Sequence, residues 1–385
     1  MPTAFLRGVG KKTKNPTNWL TFSSAEPFTI GVNGSKKSWD GTLYYSTDTT
    51  TWSEWDATKI ASAEHGEEQR IYISGSGNSK ITIGISVVAL YYWLELTGNE
   101  VSCSGNIESL LDYESVEKGE HPPMAKQCFA HLFQHCTCLV TAPELPATTL
   151  VDYCYMGMFR GCTSLTSAPQ LPATTLAYAC YIEMFEDCTA LTTAPELLAT
   201  TLVDNCYDYM FRGCTSLINA PELLATTLAD YCYDGMFNGC TSLTHAPELP
   251  ATTLKRGCYE GMFYGCTSLI NAPELPATTL AEVCYHIMFQ NCTSLASVPQ
   301  LPATTLADDY GNVKNGCYEG MFYGCTSIKL SKTLSGEYHT AYRIPTSGTG
   351  TKANYSLRDM FKNTGGTFTG TPSINTTYYT ANEVV

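Results

Sequence analysis

The chain is short of charge, and shortest of positive charge. Asp, Glu, Lys and Arg make up 15% of its 385 residues, with 22 basic against 36 acidic side chains and a formal net charge of −14. Phosphates must be neutralised by Lys and Arg, so this balance argues against a nucleic-acid partner. No run of about 20 apolar residues occurs, which a membrane-spanning helix requires, and no membrane insertion is expected. The opening Met-Pro-Thr-Ala-Phe-Leu-Arg-Gly-Val-Gly lacks the apolar core of a secretory signal, and Ala-Asn-Glu-Val-Val at the other end carries no hydrophobic anchor. Also missing are Gly-x-Ser-x-Gly, a Walker loop, a dinucleotide fingerprint and His-Glu-x-x-His. The expectation is a protein that is not an enzyme and uses no cofactor.

What the chain has is a repeat of 26 residues built on Cys-Tyr-x-x-Met-Phe-x-x-Cys-Thr-Ser-Leu. Its first cysteine falls at Cys128, Cys154, Cys180, Cys206, Cys232, Cys258 and Cys284, then at Cys317 after a step of 33. A unit this short cannot bury its own apolar face and needs its neighbours to cover it, so the reading is a solenoid with a long exposed surface. In the repeat starting at Cys232, apolar residues at Cys232, Tyr233, Met236 and Phe237 fit one face of a short helix. Asp152, Asp204 and Asp230 are placed to cap such helices, and Gly161, Gly213, Gly239, Gly265 and Gly324 to end them. Proline in Ala-Pro-Glu-Leu-Pro withholds backbone donors, so the strand is expected in Thr-Ser-Leu-x-x-Ala. There Leu165, Leu191, Leu217, Leu243, Leu269 and Leu295 would stack inward at about 4.8 Å per turn of the solenoid.

Sixteen of the 18 cysteines are eight-residue pairs within the repeat, Cys103 and Cys138 being the others. Eight helical residues would separate a pair by about 12 Å, beyond the roughly 7 Å a disulfide allows, so reduced, buried thiols are expected. The spacing is not that of a zinc site. The segment His131-Leu-Phe-Gln-His135-Cys136-Thr-Cys138 has histidines at i and i+4 beside thiols. Both histidines occupy slots that look exposed and vary between copies, so no metal is assigned.

Ahead of the repeats, short alternating segments between Trp19 and Ile83 predict a small antiparallel β-sandwich. Tyr-Ser-Thr-Asp-Thr-Thr-Thr-Trp at 45–52 is similar to the Asp-box hairpin of sialidases, but it occurs once and lacks the usual glycine, so a structural hairpin is expected. The predicted organisation is a basic arm at 1–14, an attachment sandwich at 15–84, a solenoid cap at 85–127, repeats at 128–330 and a closing cap at 331–385. The arm carries Arg7, Lys11, Lys12 and Lys14 and could dock on an acidic partner.

The repeat pattern over residues 128–330 resembles the BspA-like leucine-rich repeats of bacterial surface proteins, some protist proteins and phage-encoded proteins. It departs from that family in its doubled cysteine and its Ala-Pro-Glu-Leu-Pro segment. The resemblance implies non-catalytic adhesion to host proteins and surfaces, and the front segment Trp-Asp-Gly-Thr-Leu-Tyr-Tyr-Ser-Thr-Asp looks like modules of gut-phage and prophage repeat proteins. With no signal peptide, the expectation is a receptor-binding protein on a virion surface, binding host-surface protein or glycan through the repeats and a virion structural protein through its front. A homo-oligomer is a further partner expected. The alternatives are a structural virion decoration or assembly protein and a bacterial cell-surface adhesin. Columns that change between copies supply the candidate binding residues Tyr153, Arg160, Tyr178, Tyr209, Arg212, Tyr231, Tyr264 and Tyr323, since Tyr and Arg are enriched in binding hot spots.

Overall fold

The computed structural model describes residues 18–82, 94–304, 306, 316–344 and 355–385. The fold is made of strands and turns with nearly no helix; the single α-helix among the described residues is Tyr113–Glu117.

The repeats therefore correct the expected helix. In the repeat starting at Cys154, residues with left-handed φ fall at Tyr153, Gly157 and Gly161, one in every four. Even-numbered amides close local turns, Met156 to Tyr153 O (3.2 Å), Met158 to Tyr155 O (3.2 Å) and Arg160 to Gly157 O (3.1 Å). Odd-numbered amides leave the repeat altogether. Tyr155 donates to Cys180 O (3.0 Å), Gly157 to Ile182 O (2.8 Å), Phe159 to Met184 O (2.9 Å) and Gly161 to Glu186 O (2.7 Å). A helix needs an unbroken right-handed backbone and i→i−4 bonds; a left-handed residue at every fourth position forbids both. Apolar residues at i, i+1, i+4 and i+5 suit a four-residue turn as well as a 3.6-residue one over so short a stretch. The aspartates are not helix caps either, since Asp204 accepts the amide of Asp230 (3.0 Å) and Asp230 that of Arg256 (3.1 Å), each in the next repeat.

Each adjacent pair of repeats is joined in this way, and the stack buries its Cys, Tyr, Met, Phe and Leu columns. Phe159, Phe185, Phe211, Phe237, Phe263 and Phe289 lie over one another with ring centroids 5.5–5.8 Å apart. Register survives the step of 33, because Tyr285 bonds to Cys317 O and Phe289 to Met321 O. It continues once more, Tyr318 to Ser356 O and Phe322 to Met360 O, so residues 355–363 form a closing repeat. Between the middle repeats the expected strand is reduced to single parallel bridges, such as Thr193 to Asn219 and Asn219 to His245.

All 18 cysteines are free thiols. Those of the second column have a task beyond filling space: Cys162, Cys188, Cys214, Cys240, Cys266 and Cys292 each donate to the carbonyl of the Phe one repeat back, at 3.0–3.1 Å.

The front of the chain forms two sheets. Strands β1 (Leu20–Ser24), β2 (Thr29–Val32), β3 (Thr42–Ser46), β4 (Ser53–Glu54), β5 (Ile60–Ala61), β6 (Ala63–His65), β7 (Glu68–Ser76), β8 (Leu94–Thr97) and β9 (Val101–Ser104) pair antiparallel among themselves. The first sheet runs β9-β1-β7-β3-β4, with β6 also on β7, and the second runs β5-β2-β8. The unit thus extends to Ser104, past the boundary expected at residue 84. It is also continuous with the repeats: β9 pairs in parallel with β10 (Leu139–Thr141) of the first repeat, and one apolar core runs from Leu20 to Tyr378. β3 and β4 form a hairpin in whose turn Asp48 accepts the amides of Thr50 (2.8 Å) and Thr51 (2.7 Å), which holds its carboxyl well below the usual range. At the far end Val385 donates to Val298 O (3.1 Å), fastening the terminus across the last repeats.

Candidate functional site

The variable positions of the repeat fall into rows that run from one repeat to the next. Tyr153 and Tyr231 share one row of left-handed residues and Tyr209 sits in the next, four residues on. Two glycines in these rows lie under a tyrosine of the preceding repeat. A Cβ on Gly235 would lie 2.2 Å from Tyr209 Cε1, and one on Gly257 would lie 2.3 Å from Tyr231 Cε1. Tyr209 and Tyr231 thus each cover a glycine of the following repeat, which couples those positions in pairs.

A cation holds each of four such rings. Lys126 lies 4.8 Å from Tyr153, Arg212 5.2 Å from Tyr209, Arg256 5.6 Å from Tyr231 and Lys362 5.6 Å from Tyr323. Tyr178 is 42% exposed and meets Tyr153 edge to face at 5.1 Å. Tyr264, half-buried, accepts from Asn291 Nδ2 (3.4 Å). Arg160, Glu186 and Arg212 follow one another in a single row: Arg160 Nε is 2.9 Å and Arg212 Nη1 3.2 Å from the buried Glu186, while Arg160 Nη1 reaches Glu183 at 2.8 Å. Burial, then the charge of Glu183, pushes Glu186 up to about 6. The eight candidate residues thus form no single cluster. Arg160, Tyr209 and Arg212 share a network, Tyr153 and Tyr178 form a pair, and Tyr231, Tyr264 and Tyr323 stand along the stack.

One row escaped the sequence reading. Two residues after each first cysteine come Asp208, Asp234, Glu260, His286 and Glu319 in successive repeats. Asp208 is only 7% exposed, with Oδ2 on Asn205 Nδ2 (3.1 Å), and Glu260 meets His286 Nδ1 at 2.8 Å. Burial pushes Asp208 up to about 7, with Glu183, Glu260 and Glu186 adding to it, and pushes Asp234 up to about 9, with Asp208 and Glu260 adding. Aligning the repeats by column shows three carboxylates in a row at this position.

Of the two histidines expected to be exposed, His135 is exposed and His131 is a correction. His131 is buried, its ring covering Gly157, and burial with the nearby Arg160 lowers it to about 4. Cys136 and Cys138 turn away to donate to Leu94 O (3.0 Å) and Leu96 O (3.5 Å). Among the described residues no group of three or more His, Cys, Asp or Glu side chains is placed to hold a metal ion, and no helix is long and apolar enough to cross a membrane. Compared with known protein families, with curated proteins and with solved structures, the chain matches none.

Proposed function

We propose that this chain is a non-enzymatic adhesion or receptor-binding protein, a leucine-rich-repeat solenoid of the BspA-like kind displayed on a phage particle. Its repeat face takes hold of a host-surface protein or glycan, and its front attaches to a virion structural protein. The observation that carries the reading is the bonding of every repeat to the next, from Gln127 to Lys362. It presents one side chain per repeat in fixed rows, the form in which repeat proteins meet extended partners. Tyr and Arg side chains already held by cation–π contacts and ion pairs lose little freedom on binding, which favours affinity. Of the candidates, Tyr178 and Arg212 are the exposed ones and make the first contacts.

The test is binding of the purified chain to intact host cells, read by fluorescence. Replacing Tyr178 and Arg212 together by Ala should weaken binding about tenfold or more, as hot-spot residues do, in a chain that still melts in one cooperative transition. Unchanged binding would move the site off this face. A second reading, a structural decoration or assembly protein, is favoured by the mutual pairing of these same side chains, and it predicts no cell binding by the intact chain.

A further inference from the structure

Four successive repeats, from Cys180 to Cys258, send an Ala-Pro-Glu-Leu segment to the surface, and these segments line a groove. A cleft of 370 Å³ lies between Pro195, Leu198, Pro221 and Leu224. The next, of 510 Å³, shares Pro221 and Leu224 and adds Pro247 and Pro250. A third, of 450 Å³, runs on to Pro273 and Pro276. Leu198 and Leu224 stand where the flanking repeats have proline and are 41% and 49% exposed. Glu196, Glu222, Glu248 and Glu274 line the same clefts, all exposed, and no Lys or Arg does. An occupant must therefore bring apolar side chains together with positive charge.

The chain contains such a segment. Residues 1–17, which lie outside the described residues, hold Arg7, Lys11, Lys12 and Lys14 together with Phe5, Leu6 and Val9, and no Asp or Glu. The sheet register sets where they join the fold. Strand β1 is antiparallel to β9, with Thr21 opposite Ser104, and β9 is parallel to β10, which leads directly into Pro143 and Glu144. Asn106, just past β9, bridges to Glu144. The chain thus enters β1 at the sheet end where the Ala-Pro-Glu-Leu segments lie. From β1 to Glu196 is four strand spacings and to Glu274 seven, about 19 and 34 Å at roughly 4.8 Å each. Seventeen extended residues cover up to about 58 Å.

We propose that the amino-terminal segment docks in cis along this groove. The groove offers Glu196, Glu222, Glu248 and Glu274 to a segment with four cations and no carboxylate, and prolines with Leu198 and Leu224 to its apolar residues. Tethering raises its effective concentration to the millimolar range, so weak individual contacts suffice. A soluble chain is thereby spared an open apolar strip.

Zero-length carbodiimide crosslinking of the full chain at low concentration, with peptide mapping of the monomer, tests this. Expected are links from Lys11, Lys12 or Lys14 to Glu196, Glu222, Glu248 or Glu274, lost when NaCl is raised to about 0.5 M, where screening is strong. Trypsin cleavage after Arg7, Lys11, Lys12 and Lys14 should be about tenfold faster in the variant E196Q/E222Q/E248Q/E274Q, whose melting curve serves as the check on folding. Links found only between copies would make a second molecule the occupant and overturn docking in cis. Equal cleavage in the two proteins, or links to other carboxylates only, would overturn the groove as the site.

Discussion

Gly235 and Gly239 carry the same backbone conformation, φ 53° and 74°, four residues apart in one repeat, yet they differ in what lies above them. A Cβ on Gly239 meets nothing closer than the Gly213 backbone at 3.7 Å, whereas one on Gly235 would sit 2.2 Å from Tyr209 Cε1. Gly239→Ala should cost only the left-handed penalty, about 1–2 kcal/mol, reduced by about 0.5 kcal/mol through the stiffer unfolded chain. Gly235→Ala carries the same term and must also move the Tyr209 ring by about 1.3 Å to restore an ordinary carbon–carbon contact. The backbone cannot yield instead, because the Gly235 amide is bonded to Glu260 O at 2.8 Å. Displacing the ring takes it off Arg212, 5.2 Å away, and overpacking of this kind costs roughly 1–3 kcal/mol more. Urea denaturation of the two variants, and of each in a Tyr209→Ala background, gives the coupling. In that background Gly235→Ala should cost no more than Gly239→Ala. Equal costs in the presence of Tyr209, or a coupling energy below about 0.5 kcal/mol, would refute the pairing of tyrosine with the glycine of the following repeat.

Three further outcomes are expected. Phe237→Ala opens a hole in a stack with rings 5.8 and 5.7 Å away on either side, and denaturant titration should show a loss of about 3–5 kcal/mol. Asp234 in the folded chain is pushed up to about 9 and Asp208 to about 7, so the folded state holds protons that the unfolded state releases. Their contribution is full below the ordinary aspartate range and is lost as pH rises through those values, at up to about 1.4 kcal/mol per pH unit for each proton held. Asp234→Asn should therefore flatten the fall in stability between pH 5 and 9 and gain most at the alkaline end; an unchanged slope would refute a protonated Asp234. Finally, thiol counting in denaturant without reductant should find the 18 cysteines reactive, while the folded chain reacts slowly because burial raises the thiols of both columns. A largely oxidised chain would contradict the thiol-to-carbonyl bonds.

Much of the core was legible in the sequence. The columns headed by Cys154, Tyr155, Met158, Phe159, Cys162 and Leu165 are all buried, as their apolar character and strict recurrence required. The step of 33 to Cys317 keeps the phase intact, and Met360 and Phe361 continue the same columns. The turn type was not legible. Cys154, Met158 and Cys162 recur at intervals of four, but a helix of two turns drifts too little over eight residues to be told from it by apolar spacing alone. The candidate site was legible only as a set of positions. Tyr209 and Tyr231 were identified as residues that vary, but nothing local says that each variation is matched by a glycine in the next repeat.

The sequence by itself determined the period, the phase of every repeat and the identity of the buried columns, because burial depends on the residue type at a position and the type is written there. Only the tertiary structure decided where the polar partners lie. The Gly157 amide is satisfied 25 residues away by Ile182, the Cys188 thiol 29 residues back by Phe159, and β9 by a strand of the first repeat. Hydrogen bonds and like-charge rows of this kind exist only once repeats are stacked. The backbone's four-residue turns, the raised carboxylates at Asp208 and Asp234 and the merging of the front sheet with the repeats all follow from that stacking, because each depends on a neighbour that is close in space and remote along the chain.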